Sequence, residues 1–96
     1  MNVNVNGTEC QVVFRQYPNG RPAIQLIDVT DGGPYTTATI NLPEVRLGKD
    51  EVIIKDYSEN AGVLEGLVNS GIVQLTGRSV ESGYITAPIC KLLVAA

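Results

Sequence analysis

The densest group of chemically active side chains in this sequence lies between residues 50 and 60. Carboxylates there are accompanied by a phenol and a carboxamide. Carboxylates beside a tyrosine can meet a basic surface on another protein, because tyrosine supplies a large rigid contact with a polar tip. A solvated edge of mixed charge is the alternative. We predict a partner-binding face made of Asp50, Glu51, Asp56, Tyr57, Glu59 and Asn60.

No catalytic arrangement is recognisable in the chain. The sequence contains no histidine, so acid–base chemistry would fall to carboxylates, lysine, tyrosine or cysteine. No pair of these has a catalytic spacing, and the G-x-S-x-G, P-loop and G-x-G-x-x-G motifs are absent. We therefore expect that the protein is not an enzyme.

Metal and cofactor sites are not indicated either. Asp28 and Asp31 offer two oxygen ligands, whereas Ca²⁺ takes six or more, and Asp-Gly sequences are typical of turns. Cys10 and Cys90 lie far apart without a C-x-x-C spacing, so neither zinc nor a redox pair is expected. We predict two free, half-buried thiols, with a disulfide between the terminal strands as the alternative.

Two other features leave binding and structural interpretations open. Gly77-Arg78-Ser79 would present backbone N–H groups and a guanidinium to an anion, or it would be a strand-ending turn with a solvated arginine. The four tyrosines would be contact anchors or half-buried strand residues. They are Tyr17, Tyr35, Tyr57 and Tyr84.

Length and charge limit the class of protein. Ninety-six residues predict one domain spanning 1–96, with an aliphatic core because the chain has one Phe, four Tyr and no Trp. A net charge of −3 gives no electrostatic reason to approach a phosphate backbone. The start lacks a basic segment followed by an apolar stretch, and no run is long enough to span a bilayer. We expect a cytoplasmic protein that binds neither nucleic acid nor membrane.

Turn residues divide the first half into short strands. Asn6-Gly7, flanked by alternating valines, predicts a two-residue hairpin. The sequence Tyr17-Pro18-Asn19-Gly20 predicts a turn that folds residues 10–16 back on residues 23–29. The β-branched stretch 35–41 predicts the next strand.

The second half predicts strand, helix and two further strands. Residues 51–55 form a short strand before a helix over about residues 58–70, which we expect to be capped by Ser58 and ended at Gly71. Gly62 and Gly66 predict that this helix packs closely on a sheet. Strands follow at 72–76 and 83–94, with Pro88 at an edge, a bulge or a bend. The fold class is therefore α+β, a mostly antiparallel curved sheet or small open barrel with one helix packed on it.

A family resemblance extends over most of the chain, from about Val5 to Leu93. It is carried by Asp50-Glu51-Val52, by Ile54-Lys55-Asp56-Tyr57-Ser58-Glu59-Asn60, and by Gly62, Leu64, Gly77-Arg78, Pro88 and Cys90. These residues resemble a group of small accessory proteins of phages and conjugative elements in gut bacteria. The chain is similar to one anti-CRISPR family of that setting, which inhibits type II-A systems.

The resemblance implies a non-enzymatic protein that binds a host protein, with a Cas9 effector as the implied partner. It assigns no inhibitory contact to a particular residue. The low charge of this chain departs from strongly acidic inhibitors that imitate DNA. A different class also stays open, a counter-defence protein that binds a small molecule or nucleotide in a pocket containing Arg78 and Tyr84. The sequence does not determine the oligomeric state.

Overall fold

The computed structural model describes residues 1–94 and places eight strands in two four-stranded antiparallel sheets. The first sheet has the order β1-β2-β3-β4 and the second has the order β5-β6-β8-β7. The first contains β1 (Asn2–Val5), β2 (Thr8–Gln16), β3 (Pro22–Asp28) and β4 (Pro34–Thr37). The second contains β5 (Thr39–Ile40), β6 (Glu51–Ile54), β7 (Val73–Ser82) and β8 (Ile85–Leu92). The predicted α+β class with mostly antiparallel sheet is confirmed, and the two sheets do not join into a closed barrel.

The first two hairpins form as the turn residues predict. Asn6 and Gly7 have φ angles of 53° and 87°, and they connect β1 to β2 with Val5 opposite Thr8. Positive φ at both positions is the geometry of a type I′ turn, which matches the twist of the flanking strands. In the next hairpin, β2 folds back on β3 over the whole stretch from Gln16 to Cys10.

The third strand differs from the prediction because the chain changes sheets at Ala38. Residues 35–41 were expected to form one strand, but β4 ends at Thr37 and β5 begins at Thr39. Ala38 donates its N–H to Ile24 O at 2.8 Å, and its carbonyl accepts from Lys55 N at 2.8 Å. Its backbone thus bonds to both sheets, and its small side chain is fully buried where they meet.

Two apolar clusters fill the interior. The main core lies between the sheets and includes Ile24 and Leu26 of the first sheet with Val52 and Ile54 of the second. A second, smaller cluster lies on the other side of β6 and β8, around Ile53, where the connection 41–50 covers it. The odd and even residues of β6 therefore face different clusters, as the alternation of a strand requires.

The helical region is shorter and more broken than predicted. A single 3₁₀ turn spans Ser58–Asn60, and the α-helix α1 spans Val63–Asn69. Gly62 separates them with a φ angle of 99°. At the other end, Gly71 N donates to Val68 O and Ile72 N donates to Leu67 O, so the predicted glycine stop is a complete Schellman cap.

The position of α1 depends on a close approach to the first strand. The helix contacts β1 and β7, which are edge strands of different sheets, and it closes the main core between them. A β-carbon at position 66 would lie 2.6 Å from Asn4 O, too close for any side chain without a shift of backbone. Gly66 therefore lets α1 rest directly on the edge of β1, as its cost in helix propensity predicted.

The strand β7 contains a bulge in its middle. Leu75 lies opposite Cys90 and Ser79 lies opposite Pro88, so residues 76–78 face the single residue Ile89. Thr76 Oγ1 donates to Ile89 O at 2.7 Å and accepts from Arg78 N at 3.1 Å, while Gly77 has a φ angle of 85°. The sequence predicted a strand end here, but this hydroxyl and this glycine continue the strand through the bulge.

We expect the apolar face of α1, rather than its helix propensity, to hold the helix in place. Leu67 is fully buried and Glu65 is exposed. Leu67→Ala should lower the free energy of unfolding by about 2 to 4 kcal/mol, while Glu65→Ala should change it by no more than about 0.5 kcal/mol. Urea unfolding followed by circular dichroism measures both, and equal losses would contradict the assignment of the buried face.

Candidate partner-binding surface

The predicted partner-binding residues lie in three places: Asp50 ends the connection 41–50, Glu51 begins β6, and the others lie on the leading segment, residues 55–62, which connects β6 to α1. They are close in sequence, but in the structure their side chains have different surroundings. Asp50 and Glu59 are exposed, Tyr57 is half-buried and Asn60 is fully buried. Each side chain therefore has to be considered by its own contacts.

Asn60 is a buried structural residue. Its Oδ1 accepts a hydrogen bond from Thr36 Oγ1 at 2.5 Å. Its Nδ2 donates to Thr37 O at 2.9 Å and to Lys55 O at 3.2 Å. The carboxamide thus ties β4 to the end of β6, and it has no exposed surface to offer a partner. The prediction that Asn60 belongs to the binding face is therefore wrong.

Asp56 is the cap of α1, a role that the sequence assigned to Ser58. Asp56 Oδ1 accepts from Gly62 N and from Leu64 N, both at 3.0 Å. Ser58 instead has a φ angle of 54°, and its side chain caps neither helical segment. The acceptor comes from six residues before Gly62 because the 3₁₀ turn brings the chain back on itself. Prediction from an adjacent cap residue could not find such a contact.

Glu51 is held by two partners, Gly48 in the connection 41–50 and Arg78 on β7. Its carboxylate accepts from Gly48 N at 2.8 Å and forms an ion pair with Arg78 from the bulge of β7. The hydrogen bond from Arg78, followed by that from Gly48, holds the pKa of Glu51 below its usual range. The same contact raises the pKa of Arg78. The bulge therefore directs Arg78 across the sheet to β6, and this guanidinium is already paired.

Lys55, Tyr57 and Glu59 form a small group on the leading segment, in which Lys55 and Tyr57 are half-buried and Glu59 is exposed. Lys55 Nζ lies 3.1 Å from Glu59 Oε1 and 5.7 Å from the centre of the Tyr57 ring. A hydrogen bond from its own backbone N–H, then the contact with Lys55, lowers the pKa of Glu59. Because Glu59 is 68% exposed, this ion pair adds little stability and can reorganise on contact with another molecule.

A further surface lies on the C-terminal half of β7 and the N-terminal half of β8, where the sequence had named Tyr84 as one of four possible contact anchors and as part of a small-molecule pocket. The strand β6 pairs with β8 only from Ile89 to Lys91, so residues 79–88 form a two-stranded extension that we call the arm. Its turn carries Tyr84, whose side chain is fully exposed. The other tyrosines are half-buried, so exposure distinguishes among four residues that sequence patterns treated alike.

One side of the arm is buried and the other is open. Val80 and Ala87 pack with the second apolar cluster under the connection 41–50. On the opposite side, which is the side of the main core, Leu75 is 53% exposed and Glu81 lies opposite Thr86, both exposed. We call this open side the arm face. It consists of Ser79, Glu81, Thr86 and Pro88 of the arm together with the adjoining Leu75 before the bulge, and it has Tyr84 at its end.

Both cysteines are free, which confirms the prediction of free thiols, but they are fully buried rather than half-buried. Burial raises the pKa of Cys90 to about 11, and burial followed by the charge of Asp28 raises that of Cys10. No group of three Cys, Asp or Glu side chains among residues 1–94 is arranged to hold a metal ion. Neither helical segment of the described chain is long and apolar enough to cross a membrane.

Comparisons with protein-family models, with curated protein sequences and with solved structures give no match to this chain. The proposed function therefore rests on the contacts described above and on the sequence resemblance.

Asn60→Asp should produce a pH-dependent loss of stability. The aspartate would place a carboxylate against the carbonyls of Thr37 and Lys55, so its folded pKa should lie above the unfolded value of about 3.9. Because the folded pKa is raised, the protonated aspartic acid is tolerated at low pH, and the variant loses stability as the pH rises through the folded pKa. Urea unfolding should therefore show a smaller deficit relative to wild type near pH 3.5 than at pH 7. Asn69→Asp, at an exposed position, is the control and should show no such difference. A loss of stability in Asn60→Asp that does not depend on pH would contradict the buried hydrogen bonds assigned to Asn60.

Thiol reactivity should report the burial of both cysteines. At pH 8, iodoacetamide should label neither thiol of the folded protein and both thiols of the unfolded, unreduced chain. Because the folded pKa of Cys90 is about 11, the unfolded chain loses its proton first, and stability should fall between about pH 9 and pH 11. Cys90→Ala should lack this part of the alkaline loss. Unlabelled cysteines in the unfolded, unreduced chain would instead reveal a disulfide.

Proposed function

We propose that this protein is a non-enzymatic binding protein that contacts another protein through the arm. The observation that carries the proposal is the fully exposed Tyr84 at the end of a two-stranded extension. A tyrosine that contacts no core adds nothing to folding. On a partner, the same side chain can bury on the order of 150–250 Å² with little loss of conformational freedom.

The composition of the arm face supports a protein partner. It combines the half-exposed Leu75 and Pro88 with hydroxyl side chains, and its single charge is Glu81. A face with few charges and an aromatic end fits the partly apolar centre of a protein interface. Nucleic acid would instead be met by clustered lysine and arginine, and the net charge of the chain is −3.

The proposed setting comes from the sequence resemblance. It is a phage or mobile-element accessory protein acting in the bacterial cytoplasm, and its first partner to test is a Cas9-type effector. Such an effector carries positively charged channels for its nucleic acids. In the proposed complex Tyr84 is the anchor, while the exposed Asp50 and Glu59 increase the association rate with a basic surface. Asp56 is not among these exposed carboxylates, because its carboxylate caps α1.

The alternative of a nucleotide-binding pocket has less support from the contacts. Arg78 is paired with Glu51 across the sheet, whereas Tyr84 extends from the tip of the arm. These two side chains therefore do not converge on a shared pocket that a nucleotide could occupy. A protein contact needs no such convergence, since an exposed anchor and a complementary partner surface suffice.

Tyr84→Ala should weaken partner binding at least tenfold without changing the melting temperature, because the side chain makes no contact with the core. The control is Val29→Ala, which shortens another exposed apolar side chain outside the arm and should leave affinity within about twofold. Biolayer interferometry against Cas9 with and without guide RNA measures affinity, and DNA cleavage at large molar excess measures inhibition.

The outcomes test separately whether Cas9 is the partner and whether the arm is the binding surface. If wild-type protein neither binds Cas9 nor lowers its cleavage, the anti-CRISPR assignment fails. Pull-downs from host lysate with wild-type and Tyr84→Ala baits then test protein binding in general. A protein retained by the wild type and lost by Tyr84→Ala supports the arm, whereas equal retention by both baits places the contact elsewhere.

A further inference from the structure

An open groove lies between α1 and the first hairpin. It has a volume of about 360 Å³ and is lined by Asn4, Asn6, Gly62, Glu65, Gly66 and Asn69, among others. Its helix residues recur at spacings of three and four, so they share one side of α1. The groove is separate from the arm, which belongs to the far ends of β7 and β8.

The floor of the groove is fixed by glycines. At Gly62 a β-carbon would collide with the Asn6 carboxamide, and at Gly66 it would lie 2.6 Å from Asn4 O. No side chain can therefore occupy the floor without moving the hairpin away from the helix.

The asparagine side chains cannot turn freely, since each already makes a bond within the fold. Asn6 Nδ2 donates to Ala61 O at 2.6 Å. This bond commits a donor of Asn6 and leaves its Oδ1 as an acceptor. Asn4 Oδ1 accepts from Gly7 N at 2.9 Å and keeps a second lone pair. Both amide oxygens on the hairpin side of the groove therefore keep acceptor capacity.

The charge of the groove is negative. Glu65 is exposed, and neither ion pair within residues 1–94 includes it. No lysine or arginine lines the groove. A phosphate or carboxylate ligand would meet no counter-charge here, whereas a donor-rich cation would meet a carboxylate and fixed amide oxygens. Guanidinium fits this set, because it has five N–H donors and no acceptor.

We propose that this groove binds a guanidinium group, with Glu65 as the charged partner and Asn4 and Asn6 as neutral acceptors. The guanidinium comes from an arginine side chain of an extended protein segment or from a free small cation. The site is independent of the arm, so Tyr84→Ala leaves it unchanged.

The test is a titration of the ¹⁵N-labelled full chain followed by its amide chemical shifts. The probes are the tripeptide acetyl-Gly-Arg-Gly-amide, agmatine as a free guanidinium, and acetyl-Gly-citrulline-Gly-amide as a neutral isostere of the first. We expect saturable shifts at Gly7, Gly62, Glu65 and Asn69 with the guanidinium probes, and weaker shifts with the citrulline peptide. A tripeptide that binds more tightly than agmatine identifies a protein side chain as the source, and the reverse order identifies a free cation.

Glu65→Gln should weaken binding of the guanidinium probes by about two- to fivefold, the range for an exposed ion pair, and 0.5 M NaCl should do the same. Glu81→Gln removes an exposed carboxylate from the arm and is the matched control, which should bind as the wild type does. The proposal is overturned if the citrulline peptide binds as tightly as the arginine peptide, if Glu65→Gln binds as well as Glu81→Gln, or if the shifts are not confined to the groove. Binding to Cas9 or loss of binding in Tyr84→Ala does not bear on these results, so each proposal can fail without the other.

Discussion

The buried carboxamide of Asn60 is the interaction on which the centre of this fold depends. Its three hydrogen bonds join the end of β4, the end of β6 and the 3₁₀ turn, all close to the point where the chain changes sheets. A buried amide is stable only when its donors and acceptor are satisfied, so these segments have to assemble together. The interruption of the helix follows from this requirement. The backbone makes a separate turn around Asn60 and then reverses at Gly62 before α1 begins.

The same arrangement determines what Asp56 does. A helix of seven residues leaves a large share of its backbone N–H groups without an internal partner, so an external acceptor has considerable weight. The turn around Asn60 brings the Asp56 carboxylate to the start of α1, where it accepts two of these groups. Polar residues that suggested a binding surface thus turn out to hold the chain's only α-helix within residues 1–94. Function has to be sought where polar or aromatic groups make no such contacts.

Local patterns predicted the parts of the structure that depend on neighbouring residues. Asn6-Gly7 fixed a hairpin because the two positive φ angles are a property of the turn itself, and Gly71 ended α1 for a similar reason. The sheet change at Ala38 escaped prediction, because it depends on bonds to Ile24 and Lys55, both more than twelve residues away. The roles of Asp56 and Asn60 escaped for a related reason. Residue type indicates that a group is polar, but only the assembled fold determines whether water, a partner or the backbone satisfies it.

The bulge of β7 shows how the proposed binding element can be made rigid by residues that face away from its proposed contact surface. Thr76 satisfies both sides of the irregular backbone, and the guanidinium of Arg78 reaches back to Glu51 on β6. These contacts hold the base of the arm to the second sheet, while Val80 and Ala87 anchor one of its sides in the second apolar cluster. Association then has to order only the tip, and a preorganised base lowers the entropy lost on binding. The bulge also interrupts the exposed edge of the second sheet and so discourages unwanted strand pairing there. An exposed tyrosine on a firmly held arm is therefore a better anchor than the same residue on a free loop.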